Sequence, residues 1–121
     1  MIKTFGPNNL TPSKLCFGTM QFGDGASAKD SEEMYLKCRE NEVNFFDTAY
    51  VYTKGLSEKI LGKLIKEERE KLLIVTKAGS QGGADPDNLR NQLEESLNRL
   101  GQDYVDICLL YTSPSPRDFV R

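Results

Sequence analysis

The chain has 121 residues, 38% of them hydrophobic and 28% charged, and 16 basic against 18 acidic side chains leave a formal charge of −2. That is the composition of one globular domain or part of one, neither disordered nor collagen-like. No apolar run approaches the roughly 20 residues of a membrane-spanning helix, and no basic patch suggests a nucleic acid. Histidine is absent, which removes Ser-His-Asp and Cys-His nucleophiles and His-based zinc sites from this chain. Proton transfer then falls to carboxylate, Lys, Tyr or Cys. Cysteines at 16, 38 and 108 have no metal-ligand spacing and make a poor disulfide framework. No metal site is expected. The N-terminus lacks the apolar stretch of a secretory signal, so a reducing, cytoplasmic setting is the expectation.

Leu15-Cys16-Phe17-Gly18-Thr19-Met20 is a short apolar run broken by Gln21-Phe22-Gly23-Asp24-Gly25, which reads as a strand running into a loop. Residues 27–41 read as a helix with Met34, Tyr35 and Cys38 on one side. Residues 43–49 read as a second strand. A second helix opens near Gly55, with Ser57 as its N-cap and Glu58 in the first turn, where the helix dipole favours a carboxylate. Ile60, Leu61, Leu64 and Ile65 give that helix its apolar stripe.

The run 72–77 is continuously hydrophobic, as suits a strand buried on both faces. Residues 79–83 form a loop. Asp85-Pro86-Asp87 starts a third helix with Pro86 at its first position. Leu89, Leu93, Leu97 and Leu100 share a face, and Gly101 stops the helix. Residues 104–110 read as a fourth strand. Cys16 and Cys38 read as buried packing. Glu94, Glu95 and the run Lys66-Glu67-Glu68-Arg69 read as solvated helix faces.

The order β-α-β-α-β-α-β with short connections implies right-handed crossovers and a parallel sheet. Two closures remain open: a flavodoxin-like open sheet, or the first half of a (β/α)8 barrel. No G-x-G-x-x-G follows the first strand, which weakens a doubly wound dinucleotide-binding fold. In either closure the chemistry lies at the C-terminal ends of the strands. Those ends carry Gly18-Thr19-Met20, Asp47, Lys77 and Tyr111, with Tyr52 just beyond the second strand. A carboxylate, an ammonium and a phenol can therefore converge on one rim. A neighbouring ammonium lowers a phenol's pKa from its ordinary value of about 10, which suits proton donation to a carbonyl. Each residue alone has an ordinary alternative. Asp47 can cap a loop, and Lys77 and Tyr52 can be amphipathic surface residues. All three at strand ends make the chemical reading as strong as the ordinary one.

The stretch Phe45-Phe46-Asp47-Thr48-Ala49-Tyr50-Val51-Tyr52, followed by Gly55-Leu56-Ser57-Glu58 and Leu61-Gly62, resembles the signature of the aldo-keto reductase family. Phe17-Gly18-Thr19-Met20 resembles that family's first strand and Val75-Thr76-Lys77 its third. Ser96-Leu97-Asn98-Arg99-Leu100-Gly101 with Asp103-Tyr104-Val105-Asp106 resembles its third helix and fourth strand. The resemblance implies a (β/α)8 barrel, of which residues 1–107 would be the N-terminal half. It implies NADPH-dependent reduction of small aldehydes or ketones to alcohols. By it, Tyr52 matches the general acid, Lys77 the lysine that assists it, and Asp47 the carboxylate paired with that lysine. Gly18, Thr19, Met20 and Asp47 match positions near the nicotinamide. Regulatory relatives, such as the potassium-channel β subunits, share these features. Glu42 stands where the family often has Gly, so a positive φ there would strain the backbone.

Two departures from the family stand out. The barrel needs about 250 residues, and the family's main NADP-binding residues lie in its second half. The family also ends its fourth strand with Leu-Leu-His, where this chain has Leu110-Tyr111. The stretch 108–118 resembles the translation of a sequencing-library transposase adapter, with which all eleven residues agree. On that resemblance residues 108–121, Cys108 and Tyr111 among them, are a non-native tail. The 121-residue polypeptide would then be an inactive, truncated chimera of a reductase.

Overall fold

In the computed structural model, which describes residues 3–110, strands and helices alternate along the chain. They are β1 Phe17–Gly18, α1 Ala28–Glu40, β2 Phe45–Asp47, α2 Leu56–Ile65, β3 Leu73–Ala78, α3 Pro86–Leu100 and β4 Ile107–Leu110. The four strands form one sheet in the order β1-β2-β3-β4, and every neighbouring pair is parallel. Sequential neighbours throughout are the order of a (β/α)8 barrel. The flavodoxin-like order 2-1-3-4-5 would put β1 between β2 and β3, so the sheet decides the closure that the sequence left open. The strands are shorter than their apolar runs, but the ladder continues past them. The amides of Thr19, Thr48 and Tyr50 donate to the carbonyls of Asp47, Val75 and Lys77. Tyr111 and the rest of the segment 111–121 lie outside the described residues.

Local chemistry starts α1, and it starts and stops α3 as expected. The Ser27 hydroxyl accepts from the Asp30 amide while the Asp30 carboxylate accepts from the Ser27 amide, a reciprocal cap on α1. Asp85 caps α3 through the Asn88 amide, Pro86 occupies its first turn, and Gly101 closes it at φ 66°. The start of α2 differs. Its cap is Gly55 at φ 97°, and Ser57 lies inside the helix, fully buried. The chain reaches α2 through a 3-10 turn at Tyr52–Gly55 in which Thr53 and Lys54 hold left-handed backbone. The Thr53 hydroxyl therefore receives the Ser57 amide, and the serine is released for tertiary contacts. Glu42 takes φ 61°, a conformation unfavourable for a residue with a Cβ.

The core lies between the outer face of the sheet and the helices. Phe46, Ile74, Leu61, Ile65, Tyr35 and Leu100 are among its buried members. Residues 72–76 are all buried, as the continuous run requires. Gly62 lets α2 and α3 touch backbone to backbone: a Cβ there would stand 2.4 Å from the Leu100 carbonyl oxygen. The buried line of α3 is Gln92, Ser96 and Leu100, rotated from the other leucines of its stripe. Leu89 and Leu93 instead line an apolar pocket with Leu109 and Leu110 of β4.

Three expectations about single residues are corrected. Cys16 is exposed, because it lines the open inner face of the sheet beside Asp47, Ile107 and Leu109. Arg69 is only 5% exposed. Leaving α2, the chain makes a 3-10 turn at Arg69–Lys71, which tucks the guanidinium under the start of β3 and β4. There it donates to the Leu72 and Tyr104 carbonyls and to Asp106, and stacks on the Tyr104 ring. Glu68, from the same run, accepts from Arg39 and from the Tyr35 hydroxyl. Burial pushes the Glu68 carboxyl pKa up, but the hydrogen bonds from Arg39 and Tyr35 outweigh it and hold the pKa below its ordinary value. Burial, then the bond to Glu68, raises the pKa of Tyr35.

Candidate active site

Asp47 is the last residue of β2, Lys77 the fifth of β3, and Tyr52 opens the turn that follows β2. Because β2 and β3 are parallel and Asp47 pairs with Val75, the two strands deliver both side chains to the same end of the sheet. Lys77 Nζ donates to Asp47 Oδ1 at 2.7 Å, to Tyr52 Oη at 2.8 Å and to the Thr48 carbonyl at 2.9 Å. The Tyr52 ring centroid is 4.5 Å from Nζ. Lys77 is therefore no solvated strand end, and Asp47 spends its carboxylate on an ion pair rather than on its own loop.

The electrostatics follow from partial burial. The side chains of Lys77 and Asp47 are 15% and 29% exposed, so the pair is half withdrawn from water. Burial alone pulls the Lys77 pKa down. The hydrogen bonds to Asp47 and Tyr52, with the negative charge of Asp47, outweigh it and raise the pKa. Lys77 is held as an ammonium with its charge directed at a phenol oxygen.

The remaining rim residues divide. Gly18 opens onto free space, since a Cβ there would meet nothing within 4 Å, and Met20 is 53% exposed. Thr19 is fully buried, with its hydroxyl donating to the Asp47 carbonyl and meeting Ser57 Oγ. Thr19 supports the rim from behind. Ser57 in turn meets Thr48 Oγ1 and donates to the Thr19 carbonyl. This buried trio of hydroxyls ties the loop after β1, the end of β2 and the start of α2 together just beneath the Lys77–Asp47 pair. Thr53 adds a fourth tie, donating to the Phe22 carbonyl. The sequence offers no local signal for Thr48, Thr53 or Ser57 in these roles, because every partner but Thr53–Ser57 and Thr48–Ser57 is distant along the chain.

Beside Tyr52 runs an open groove of about 620 Å³, bounded by Met20, Gln21, Asp24, Val51 and Lys54. Among the described residues, no three His, Cys, Asp or Glu side chains gather as a metal site, and no helix is long and apolar enough to cross a membrane. A rim that presents a phenol, an ammonium against it, and a groove alongside can donate a proton to a small polar molecule.

Known proteins share this frame. Residues 14–114 match the profile of the Aldo/keto reductase family. A probable voltage-gated potassium channel subunit beta of Arabidopsis thaliana is 37% identical over 87% of this chain and 35% of its own length. An uncharacterized oxidoreductase, YrpG of Bacillus subtilis, is 32% identical over 84% of this chain and 37% of its own. A solved aldo-keto reductase of Bacillus halodurans, in its holo form, superposes with a TM-score of 0.77 at 30% identity, over 98% of this chain and 43% of that one. A thermostable aldo-keto reductase solved with the inhibitor epalrestat gives 0.79 at 31% identity, over 97% and 44%. The chain thus spans about a third of the curated relatives and under half of these two solved chains. Profile, sequence and superposition agree over nearly the whole described segment: the chain belongs to the aldo/keto reductase family.

Proposed function

We propose that this chain is the proton-donating part of an NADPH-dependent oxidoreductase that reduces small aldehydes or ketones to alcohols. The observation that carries the reading is one ammonium, Lys77, bonded at once to Tyr52 Oη and Asp47 Oδ1. In this reading Tyr52 is the general acid. A substrate carbonyl oxygen lies against Tyr52 Oη and takes its proton as negative charge develops on that oxygen. Lys77 stabilises the phenolate left behind, and does so strongly because the pair is half withdrawn from water. Asp47 keeps Lys77 charged and fixes its direction.

The residues fit the nicotinamide end of the cofactor. Gly18 leaves open space above its Cα, Met20 offers an exposed apolar surface, and Asp47 offers a carboxylate acceptor. Gly18, Met20 and Asp47 would hold that end, with Thr19 bracing them from behind. When bound, NADPH supplies the reducing hydride. The main phosphate-binding residues are expected outside this chain. Free thiols at Cys16 and Cys38, the two cysteines outside the tail, support a cytoplasmic setting.

The test is Tyr52→Phe in a barrel-length protein carrying this segment. Carbonyl turnover should fall by at least about 100-fold, with NADPH affinity within about threefold of the parent. Turnover that survives the loss of the hydroxyl would assign the acid elsewhere.

The similarity to probable potassium channel β subunits, at 37% and 35% identity, favours a second reading. The same residues would then serve a cofactor-binding regulatory subunit, and steady turnover of a panel of aldehydes would exclude it. The 121-residue polypeptide itself we read as inactive. Re-reading the source transcript beyond the codon for Ile107 tests the adapter resemblance behind that reading.

A further inference from the structure

We propose that Arg99 is a positioning residue for the proton donor: its guanidinium, neutralised by the buried Glu58, braces both ends of the segment that carries Tyr52. The inference rests on the reading of Tyr52 as general acid.

The segment runs from Tyr50 to Gly55. At its upstream end the Tyr50 amide donates to the Lys77 carbonyl at 3.0 Å. The Tyr50 carbonyl accepts from Arg99 Nη1 at 2.7 Å, and its ring lies 4.3 Å from the Arg99 guanidinium carbon. At the downstream end Gly55 takes φ 97°, and a Cβ there would stand 2.8 Å from Arg99 Cζ. The bare backbone of Gly55 therefore rests against the same guanidinium that holds Tyr50. Between the two ends Thr53 and Lys54 keep left-handed backbone, which persists in a β-branched residue only where the surroundings over-determine it.

Glu58 completes the device. It is fully buried. Its Oε1 accepts from Arg99 Nη1 at 3.0 Å and its Oε2 from Thr76 Oγ1 at 2.7 Å. Thr76 adjoins Lys77 on β3, so one network joins α3, α2, the Lys77 strand and the Tyr52 turn. A buried ion pair is a poor source of stability, since apolar side chains of the same volume commonly do as well or better. What it adds is direction. A planar guanidinium places its donors in a fixed fork that a packed aliphatic group lacks. The brace thereby holds the Tyr52 phenol within hydrogen-bond reach of Lys77.

The test reads that contact directly in the 121-residue chain. The aromatic ring beside Lys77 displaces the Lys77 ε-methylene resonance, and the full displacement is the difference between the parent and Tyr52→Leu. Two variants are compared. Arg99→Lys leaves a cation beside Glu58 but removes the fork, and Glu58→Gln with Arg99→Met removes the pair without leaving an orphan charge. Both should unfold cooperatively and lose at least half of the displacement. A cooperatively folded variant that keeps the full displacement overturns the proposal. Loss of cooperative unfolding in both variants also overturns it, because the pair then serves folding rather than aim. The readout uses neither cofactor nor carbonyl, so the brace can fail while reduction stands, and reduction can be absent while the brace holds.

Discussion

Lys77 Nζ and Tyr52 Oη, 25 residues apart in sequence, stand 2.8 Å apart at the open end of the sheet. Replacing the ammonium tests what it does for the phenol. In a barrel-length protein, Lys77→Met should lower carbonyl turnover by at least about 100-fold, because the phenolate formed on proton transfer loses its counter-charge. Lys77→Arg should recover only part of it, since a planar fork does not reproduce the position of a point charge. Steady-state rates at saturating NADPH measure both, and unaltered turnover in Lys77→Met would leave the lysine with a structural role alone.

The pH dependence of stability has two limbs with assigned groups. The Glu68 pKa is held below its ordinary value of 4.5. A depressed carboxylate contributes stability above the unfolded value and loses it as pH falls through the folded one. Acid unfolding should therefore be steeper in the parent than in Glu68→Gln below about pH 4.5. The Lys77 pKa is raised above its ordinary 10.5. A raised cation contributes fully below the unfolded value and loses its contribution as pH climbs through the folded one. Denaturant titrations at stepped pH should show the Lys77→Met penalty shrinking above about pH 10.5.

Gly62 should tolerate no side chain. A Cβ would stand 2.4 Å from the Leu100 carbonyl oxygen and 2.8 Å from its Cα, both backbone atoms that cannot rotate away. Gly62→Ala should cost about 1–3 kcal/mol through separation of α2 from α3, read as a shift in urea midpoint. Gly83→Ala, with no such neighbour but φ 80°, separates the cost of the close contact from that of a positive φ.

Among the described residues β1 and β4 pair on one side only, and Leu109 and Leu110 on β4 are 47% and 59% exposed. Unprotected apolar edges pair with other chains. The 121-residue polypeptide should sediment as a dimer or larger species and show no steady carbonyl turnover. Leu109→Lys should shift the population toward monomer, because a charge on an edge opposes further pairing. A monodisperse monomer with steady turnover would contradict both the edge assignment and the inactive reading.

Much of the frame was legible because its causes are local. Asp85 with Pro86 starts α3 and Gly101 stops it, each within a few residues of chain. The alternation of apolar runs dictates parallel crossovers, and parallel strands carry Asp47, Tyr52 and Lys77 to one end. Chain position alone brought those three into view. Tyr35 followed the helical period into the core, and Cys38, read as buried, packs against that core only half-buried.

The rest waited on partners far along the chain. A Ser before a helix reads as a cap, and only the left-handed turn at Thr53 and Lys54 moves Ser57 inward to meet Thr19 and Thr48. A charge run reads as a wet surface until a turn carries Arg69 beneath Tyr104 and Asp106. Glu58 and Arg99, 41 residues apart, carry no sequence signal for each other, since the pairing exists only where α2 meets α3 through Gly62. Cys16 is apolar by neighbourhood, yet it faces the open inner side of the sheet. The sequence by itself determined which residues reach the rim, through periodicity and caps that act over a few residues. The tertiary structure alone decided how they are held there, because a buried charge or hydroxyl finds its partner only when distant elements close upon it.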